Sequence, residues 1–192
     1  MKKSGKEYTI AKGDGAFYGP KIDILMEDVL GREWQMGTIQ LDFQQPRRFK
    51  LEYTSADGSK KTPIAIHRVI YGSLERFIGI LIEHTAGAFP LWLAPVQVSL
   101  VPVSDKFNEY AGKLAAELRS RGLRVEIDER NESVGKKIRE AEMQKAPYIL
   151  VVGEKEKTSG SLTVRRRGEK EQAEEKLEAF IKRLEKEIKN KK

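Results

Sequence analysis

The stretch IAIHRVIYGSLERFIGIL, residues 64–81, sets His67 near the end of a strand-like run and Arg76 in the first turn of a helix-like one. A cation in a first turn opposes the helix dipole, which favours negative charge there, and Glu75 beside it offsets part of that cost. Arg76 therefore needs another reason to stand where it does: an anion to face, or a flat π-system to stack on. An imidazole at a strand end could bind a metal, a proton or neither. The only other histidine, His84, lies a helix away, and one ligand does not make a site.

Two segments upstream carry similar chemistry. GDGAFYGPKID, residues 13–23, places three glycines and a proline around Phe17 and Tyr18, ahead of Lys21 and Asp23. Glycines let a backbone pass close to a ligand and Lys21 offers a point charge; the same residues also fit a tight turn with surface aromatics. In WQMGTIQLDF, residues 34–43, strict alternation puts Gln35, Gly37, Ile39 and Leu41 on one face and Trp34, Met36, Thr38 and Gln40 on the other. Gln35 and Gln40 are then separated unless the strand twists. Gly37 marks a close approach by a ligand or by another backbone, and polar residues on a half-exposed strand remain the plainer alternative.

The elements that must position these residues fall into two halves. In the first, KIDILMED and EWQMGTIQLDF read as strands joined by a turn at Gly31, and a turn at Asp57-Gly58 leads to a third strand ending near His67. Ser73 reads as the N-cap of a helix carrying Leu74, Phe77, Ile78, Leu81 and Ile82, stopped at Gly87. FPLWLAPVQ, residues 89–97, is the connector, which sets domains at 1–94 and 95–192. Beyond it come strand VQVSLVPV, a helix capped by Asp105 and stopped by Gly122, strand RVEID and a helix from Ser133 to Lys145. Strand YILVV, edge strand SLTVR and a final helix from Gln172 to Lys189 complete the chain. The order implies a mostly parallel sheet covered by helices, so the expected fold is α/β: antiparallel strands with one helix, then a mixed-sheet domain.

Composition narrows the function. Charged residues make up 34% and apolar residues 39%, as in ordinary soluble proteins, and no apolar run reaches the ~18 residues of a membrane span. The start, MKKSGKEY, has no apolar signal core behind it, so the chain reads as cytoplasmic and without a membrane partner. The absence of cysteine excludes a disulfide framework and any thiolate metal site built within these residues. The net charge of +7 invites a polyanion, and the excess lies mainly in the second half, 23 Lys+Arg against 18 Asp+Glu, compared with 13 against 11 before it. No phosphate-binding P-loop pattern is present, which argues against a general nucleotide-binding regulator.

Taken in order, GDGAFYGPKID, WQMGTIQLDF, IHRVIYGSLERFIGIL, FPLWLAPVQV, RNESVGKKIREAEMQKAPYILVVGEKE and VRRRG resemble the class II aminoacyl-tRNA synthetases, and among them the threonyl enzymes. The resemblance runs from about Tyr8 to Gly168. It implies the end of a class II catalytic core followed by an anticodon-binding domain, in an ATP- and Mg-dependent ligase that joins threonine to tRNA-Thr.

GSLERF resembles the class's third signature, whose arginine, Arg76 here, stacks on adenine and contacts the γ-phosphate. Lys21 and Gln40 join it as catalytic candidates. Tyr18, Gln35 and Thr38 match positions lining the adenylate site, and Ser73 matches one at its edge. His67 matches a ligand of the zinc that takes the threonine amine and hydroxyl together, a device that rejects an isostere lacking the hydroxyl. Asn131, Lys145, Glu156 and Arg165 match base-reading positions, with Arg124, Arg130, Lys136, Lys137, Arg166 and Arg167 as candidate phosphate contacts.

The departures set limits on this expectation. The other zinc ligands, a cysteine among them, and the first two signatures belong upstream of these residues, as does an editing domain. The chain is therefore expected to be a C-terminal portion of a homodimeric enzyme, inactive alone. A stand-alone RNA-binding module with a non-catalytic core remnant is the alternative.

Overall fold

The computed structural model describes residues 5–169 and 171–191. These divide into two compact units, Met1–His84 and Thr85–Lys192.

The first unit is a three-stranded antiparallel sheet in the order β1-β2-β5, with β1 (Lys21–Glu27), β2 (Glu33–Asp42) and β5 (Ala65–Val69). The β1–β2 hairpin turns at Gly31, whose φ of +76° favours glycine. Asp28 sits within that turn as a buried carboxylate. It accepts from the backbone N–H groups of Leu30 and Arg32, from Arg32 Nε and from Trp34 Nε1. Tyr53–Thr54 (β3) and Lys60–Lys61 (β4) form a separate small hairpin around the Gly58 turn, so the third strand of the main sheet begins only at Ala65. A short helix, α1 (Gln45–Arg48), carries Pro46 in its first turn, where the fixed φ of proline fits.

The helix α2 (Leu74–Thr85) begins as its sequence predicts: Ser73 Oγ accepts the Arg76 N–H at 3.2 Å. No residue of α2 is fully buried, and Ile22, Ile24, Leu25, Ile66, Leu74 and Ile78 are all exposed. Gly37 marks a close approach from within the chain: a Cβ there would meet the Ile70 carbonyl and the Ile24 side chain, each at 3.1 Å.

The second unit holds a five-stranded mixed sheet in the order β10-β9-β8-β6-β7. Its strands are β6 (Val98–Pro102), β7 (Val125–Ile127), β8 (Tyr148–Val152), β9 (Ser161–Arg166) and β10 (Gln172–Lys176). Only β6–β7 and β6–β8 are parallel; β8–β9 and β9–β10 are antiparallel, so "mostly parallel" gives way to an even mixture. SLTVR is an interior strand rather than an edge, because Gln172–Lys176 pairs with it instead of opening the final helix. That helix, α6, spans Leu177–Lys189. The pairing with β9 holds QAEEK extended, with Ala173 and Glu175 on one side of the strand, where Arg183 of α6 meets Glu175. Asp105 makes no side-chain cap; it opens a 3₁₀ turn, and α3 follows at Asn108–Ser120.

α3 and α6 cover one face of the sheet around Leu100, Leu150, Val164, Phe180 and Leu184. α4 (Val134–Met143), capped by Ser133, covers the other, where Val101, Ala141, Ala146 and Ile149 pack together. A further helix, α5 (Glu154–Ser159), follows β8 directly. The connector packs with this unit because two arginines hold its carbonyls. Arg124 donates to Ala94 and Trp92, and Arg167 to Phe89 and Ala88. Fully buried Gln97 adds a bond to the Leu91 carbonyl at 2.8 Å.

Candidate functional site

In the first unit the register decides which side chains meet. Lys21 lies opposite Gln40 and Asp23 opposite Thr38, but Ile24 pairs with Gly37 and Leu25 with Gln35. Met36 is therefore an extra residue, a β-bulge, and its side chain is buried. The bulge resets the alternation, so Gln35 stands on the face of Thr38 and Gln40 rather than opposite it. Its amide donates to Asp23 Oδ1 at 2.7 Å. The expected separation of Gln35 from Gln40 is corrected by that one added residue.

The same face gathers the other candidates. Tyr18 donates its hydroxyl to Gln40 Oε1 at 2.5 Å. It is brought there because Gly19 packs against the Leu41 carbonyl so closely that a Cβ would lie 2.2 Å from that oxygen. Lys21 Nζ sits 2.8 Å from Asp23 and 3.4 Å from Asp14. The Asp23 hydrogen bond raises the Lys21 ammonium above its ordinary range, and the Lys21 bond lowers Asp23. Thr38 Oγ1 is buried without a well-formed partner. His67 stands opposite Gln40 across β2–β5, its Nε2 3.0 Å from Asp42 Oδ2 and its ring 6.1 Å from that of Tyr18. The His67 bond and the N–H groups of Gln45 and Gln44 hold Asp42 below the usual carboxylate range.

Arg76 finds its flat partner inside the chain. Its guanidinium lies over the Trp34 ring, 5.3 Å from the centroid, and donates to the Gln35 carbonyl at 3.2 Å. Trp34 is fixed in turn by its indole N–H on Asp28 at 2.8 Å. Arg76 remains exposed. Gln35 thus joins the two arrangements, its carbonyl taking Arg76 and its amide taking Asp23. Sequence reasoning passed over Trp34, Asp28 and Asp42; an Asp followed by Arg and Trp at four and six residues across a Gly turn is the signal that could have exposed the first two.

Among the described residues no three metal-ligating side chains converge. His67 supplies a single imidazole already bonded to Asp42, so the residues present do not amount to a metal centre.

In the second unit, Arg165 of β9 stands opposite Ile149 of β8 and Thr163 opposite Val151, on the side of the sheet that carries α4, and the Thr163 hydroxyl is taken there by Glu156 of α5. Arg165 Nη2 reaches Glu142 of α4 at 3.4 Å, while its Nε is buried with no partner. Exposed Asn131 stands in the loop before α4, and exposed Lys145 follows α4 with φ at +61°. The candidates therefore flank a helix about 15 Å long, at 1.5 Å per residue.

Glu156 is placed differently. Its carboxylate is buried, accepting the Gly153 N–H at 2.9 Å, which caps the start of α5, and the Thr163 hydroxyl at 2.6 Å. Burial alone would raise this carboxyl, but the hydrogen bonds from Thr163, from its own N–H and from Gly153 bring it below its ordinary range.

Several phosphate candidates are likewise committed. Lys137 is buried, with Nζ on the Pro102 carbonyl at 3.3 Å, and Arg124 and Arg167 are bound to connector carbonyls. These three are corrected from phosphate contacts to internal ties. Arg130 pairs with Asp128 and Glu140, Lys136 with Glu132, and Arg166 with Glu169, all on exposed positions.

Residues 2–85 match the tRNA synthetase class II core domain (G, H, P, S and T), and residues 97–187 match the anticodon binding domain. Threonine–tRNA ligase of Clostridium botulinum is 56% identical over 187 residues, covering 97% of this chain and 29% of that protein. The enzyme of Caldanaerobacter subterraneus subsp. tengcongensis is 54% identical over 98% of this chain. The chain belongs to the threonyl-tRNA synthetase family. A solved structure described as the RNA binding domain of threonyl-tRNA synthetase from Cryptosporidium parvum superposes with a TM-score of 0.87 at 41% identity. It covers 96% of this chain and 47% of that one. The chain spans about 29–30% of the length of the curated relatives it matches. No helix among the described residues is long and apolar enough to cross a membrane.

Proposed function

We propose that this chain is the portion of a threonine–tRNA ligase that holds the tRNA-Thr anticodon loop and contributes part of the ATP and threonine site. The observation that carries the reading is the buried, unpartnered Nε of Arg165 on β9, whose guanidinium reaches Glu142 of α4, with exposed Asn131 and Lys145 at the two ends of that helix. A donor removed from water without a partner is costly unless a ligand supplies an acceptor. RNA loop bases, unstacked and splayed, present such acceptors on their edges. Asn131 and Arg165 read the bases, Lys145 supplies a point charge at the far end, and Glu156 acts by fixing the start of α5.

In the first unit, Tyr18, Lys21, Gln35, Thr38 and Gln40 form the polar wall of an adenylate site, with Arg76 and Ser73 at its margin. Arg76, Lys21 and Gln40 are the catalytic group: Lys21 offers positive charge to a phosphate or carboxylate and Arg76 a guanidinium already desolvated on one face by Trp34. ATP would arrive with Mg. The zinc expected with His67 would bind the threonine amine and hydroxyl, and two further ligands would have to come from elsewhere.

The chain alone activates no threonine. Among the described residues its sheet has three strands, in the order β1-β2-β5, and α2 buries no residue fully. The same openness favours the second reading, an RNA-binding module with a non-catalytic core remnant. The homodimer of the complete enzyme and a cytoplasmic location belong to the proposal as well.

The deciding experiment titrates the 192-residue chain with the anticodon stem-loop of tRNA-Thr and with one whose anticodon bases are changed. Preferential binding of the first is expected, and equal affinity for both would reduce the interaction to charge attraction. ATP binding lost in Arg76→Ala separates the ligase portion from the plain RNA module.

A further inference from the structure

The turn between β1 and β2 does more than reverse the chain. Its buried Asp28 divides four donors between two oxygens. Oδ1 takes the backbone N–H groups of Leu30 and Arg32, each at 2.9 Å, and so closes the turn. Oδ2 takes side chains only, Arg32 Nε at 2.6 Å and the Trp34 indole N–H at 2.8 Å. The indole bond leads the influences that hold this carboxyl well below the ordinary carboxylate range, so it is an ionised acceptor at neutral pH. One oxygen builds the hairpin and the other orients a ring.

That ring is where Arg76 rests. Its guanidinium carbon lies 5.3 Å from the Trp34 centroid, and Nη1 donates to the Gln35 carbonyl at 3.2 Å. Arg32 approaches the same ring, 5.7 Å from its centroid, and reaches Glu83 of α2 at 3.6 Å. Ser73 holds the Arg76 backbone N–H, so the residue is fixed at both ends. Both partners of the guanidinium are neutral, an indole and a carbonyl, and they position its charge without cancelling it. A carboxylate set directly against Arg76 would form an ion pair and leave less positive charge for a phosphate. Asp28 avoids that loss by acting at one remove, through the indole.

We infer that Asp28 and Trp34 are positioning residues for Arg76: the carboxylate fixes the indole, and the indole holds the guanidinium ready for ATP. The inference rests on the adenylate reading of this sheet. It adds to that reading the two residues on which the orientation of Arg76 depends.

The test uses the 192-residue chain carrying Trp92→Phe, which leaves Trp34 as its one tryptophan. Arg76→Ala is expected to change Trp34 emission, because the cation leaves the ring. In Asp28→Asn the same replacement is expected to change it little. Asn keeps a carbonyl oxygen for the two backbone N–H groups and turns an amide donor toward the indole, so the turn is retained while the ring is freed. ATP affinity at pH 7, read by equilibrium dialysis, should fall roughly twofold to fivefold in Asp28→Asn, the worth of one cation–π contact at an exposed site. Trp34→Phe keeps a ring without the N–H and should lose a similar amount; it carries the dialysis if Asp28→Asn fails to fold. Trp34 emission that ignores Arg76 overturns the positioning role and leaves the adenylate site standing. So does ATP binding that is lost in Arg76→Ala yet matches wild type in Asp28→Asn and Trp34→Phe. A chain that binds no ATP, or binds it equally well in Arg76→Ala, overturns the adenylate reading and the positioning role with it.

Discussion

Glu156 offers the sharpest separation between a side chain that reads RNA and one that holds the fold. Its two oxygens take the Gly153 N–H and the Thr163 hydroxyl from within the chain, and the residue is 6% exposed. In Glu156→Ala the bond that caps the Gly153 N–H is lost, worth about 0.5–2 kcal/mol. The buried Thr163 hydroxyl is also left short of a partner, at roughly 1–3 kcal/mol. The expected loss is about 1.5–5 kcal/mol. For a unit of this size each kcal/mol lowers the melting temperature by about 4–8 °C, so the Ala variant should melt at least about 6 °C lower.

Glu156→Gln keeps the shape and one acceptor and loses charge assistance, for about 1–2 kcal/mol. The folded carboxyl titrates below its ordinary value of 4.5. Its contribution is therefore present above pH 4.5 and lost as the pH falls through the folded pKa. The gap between wild type and Glu156→Gln must accordingly narrow in acid. Thermal melts of the 192-residue chain by circular dichroism at pH 7 and pH 4 supply the assay. An Ala variant melting within about 2 °C of wild type at pH 7, paired with a large loss of RNA affinity, would refute the cap and return Glu156 to the bases.

Four further outcomes are expected. Acid titration of a Trp92→Phe chain, followed through Trp34 emission, should show the first unit losing structure below about pH 3.8. Asp23, Asp28 and Asp42 are all held below that value, so their stabilisation is present above it and lost as they protonate. Asp28→Asn should flatten that acid transition, and an unchanged steepness would sink the assignment. Lys145→Ala should lower the salt slope of RNA binding by about 0.7–0.9, the loss of one phosphate contact, whereas Lys137→Met, at a buried site, should leave the slope alone. Trp34→Leu should weaken ATP binding with Arg76 intact, since the guanidinium loses its platform; equilibrium dialysis reads the change. ATP–pyrophosphate exchange with threonine should stay at background for the chain alone, and turnover above background would refute the inactivity proposed for it.

Much of this molecule is legible from one dimension. Period-2 alternation marks β1 and β2, Ser73 announces α2, Ser133 announces α4, and glycines at 31 and 58 turn the chain where expected. Those signals are short-range, set by backbone sterics and by one side chain reaching one nearby N–H. The six blocks in order also carried the family. What alternation could not carry is a count that changes part-way along a strand. Met36 is an extra residue only because Leu25 pairs with Gln35, and pairing is a property of two strands. That single bulge decides whether Gln35 shares a face with Gln40. QAEEK has the charges of a helix start and becomes a strand because β9 offers it a free ladder of backbone groups. The residue types of Lys137, Arg124, Arg167 and Glu156 state their charge, and nothing in the sequence states what each charge is spent on. The packed fold decides that, because a charged group removed from water must bond to whatever carbonyl, N–H or hydroxyl the neighbouring elements bring within 3 Å or so.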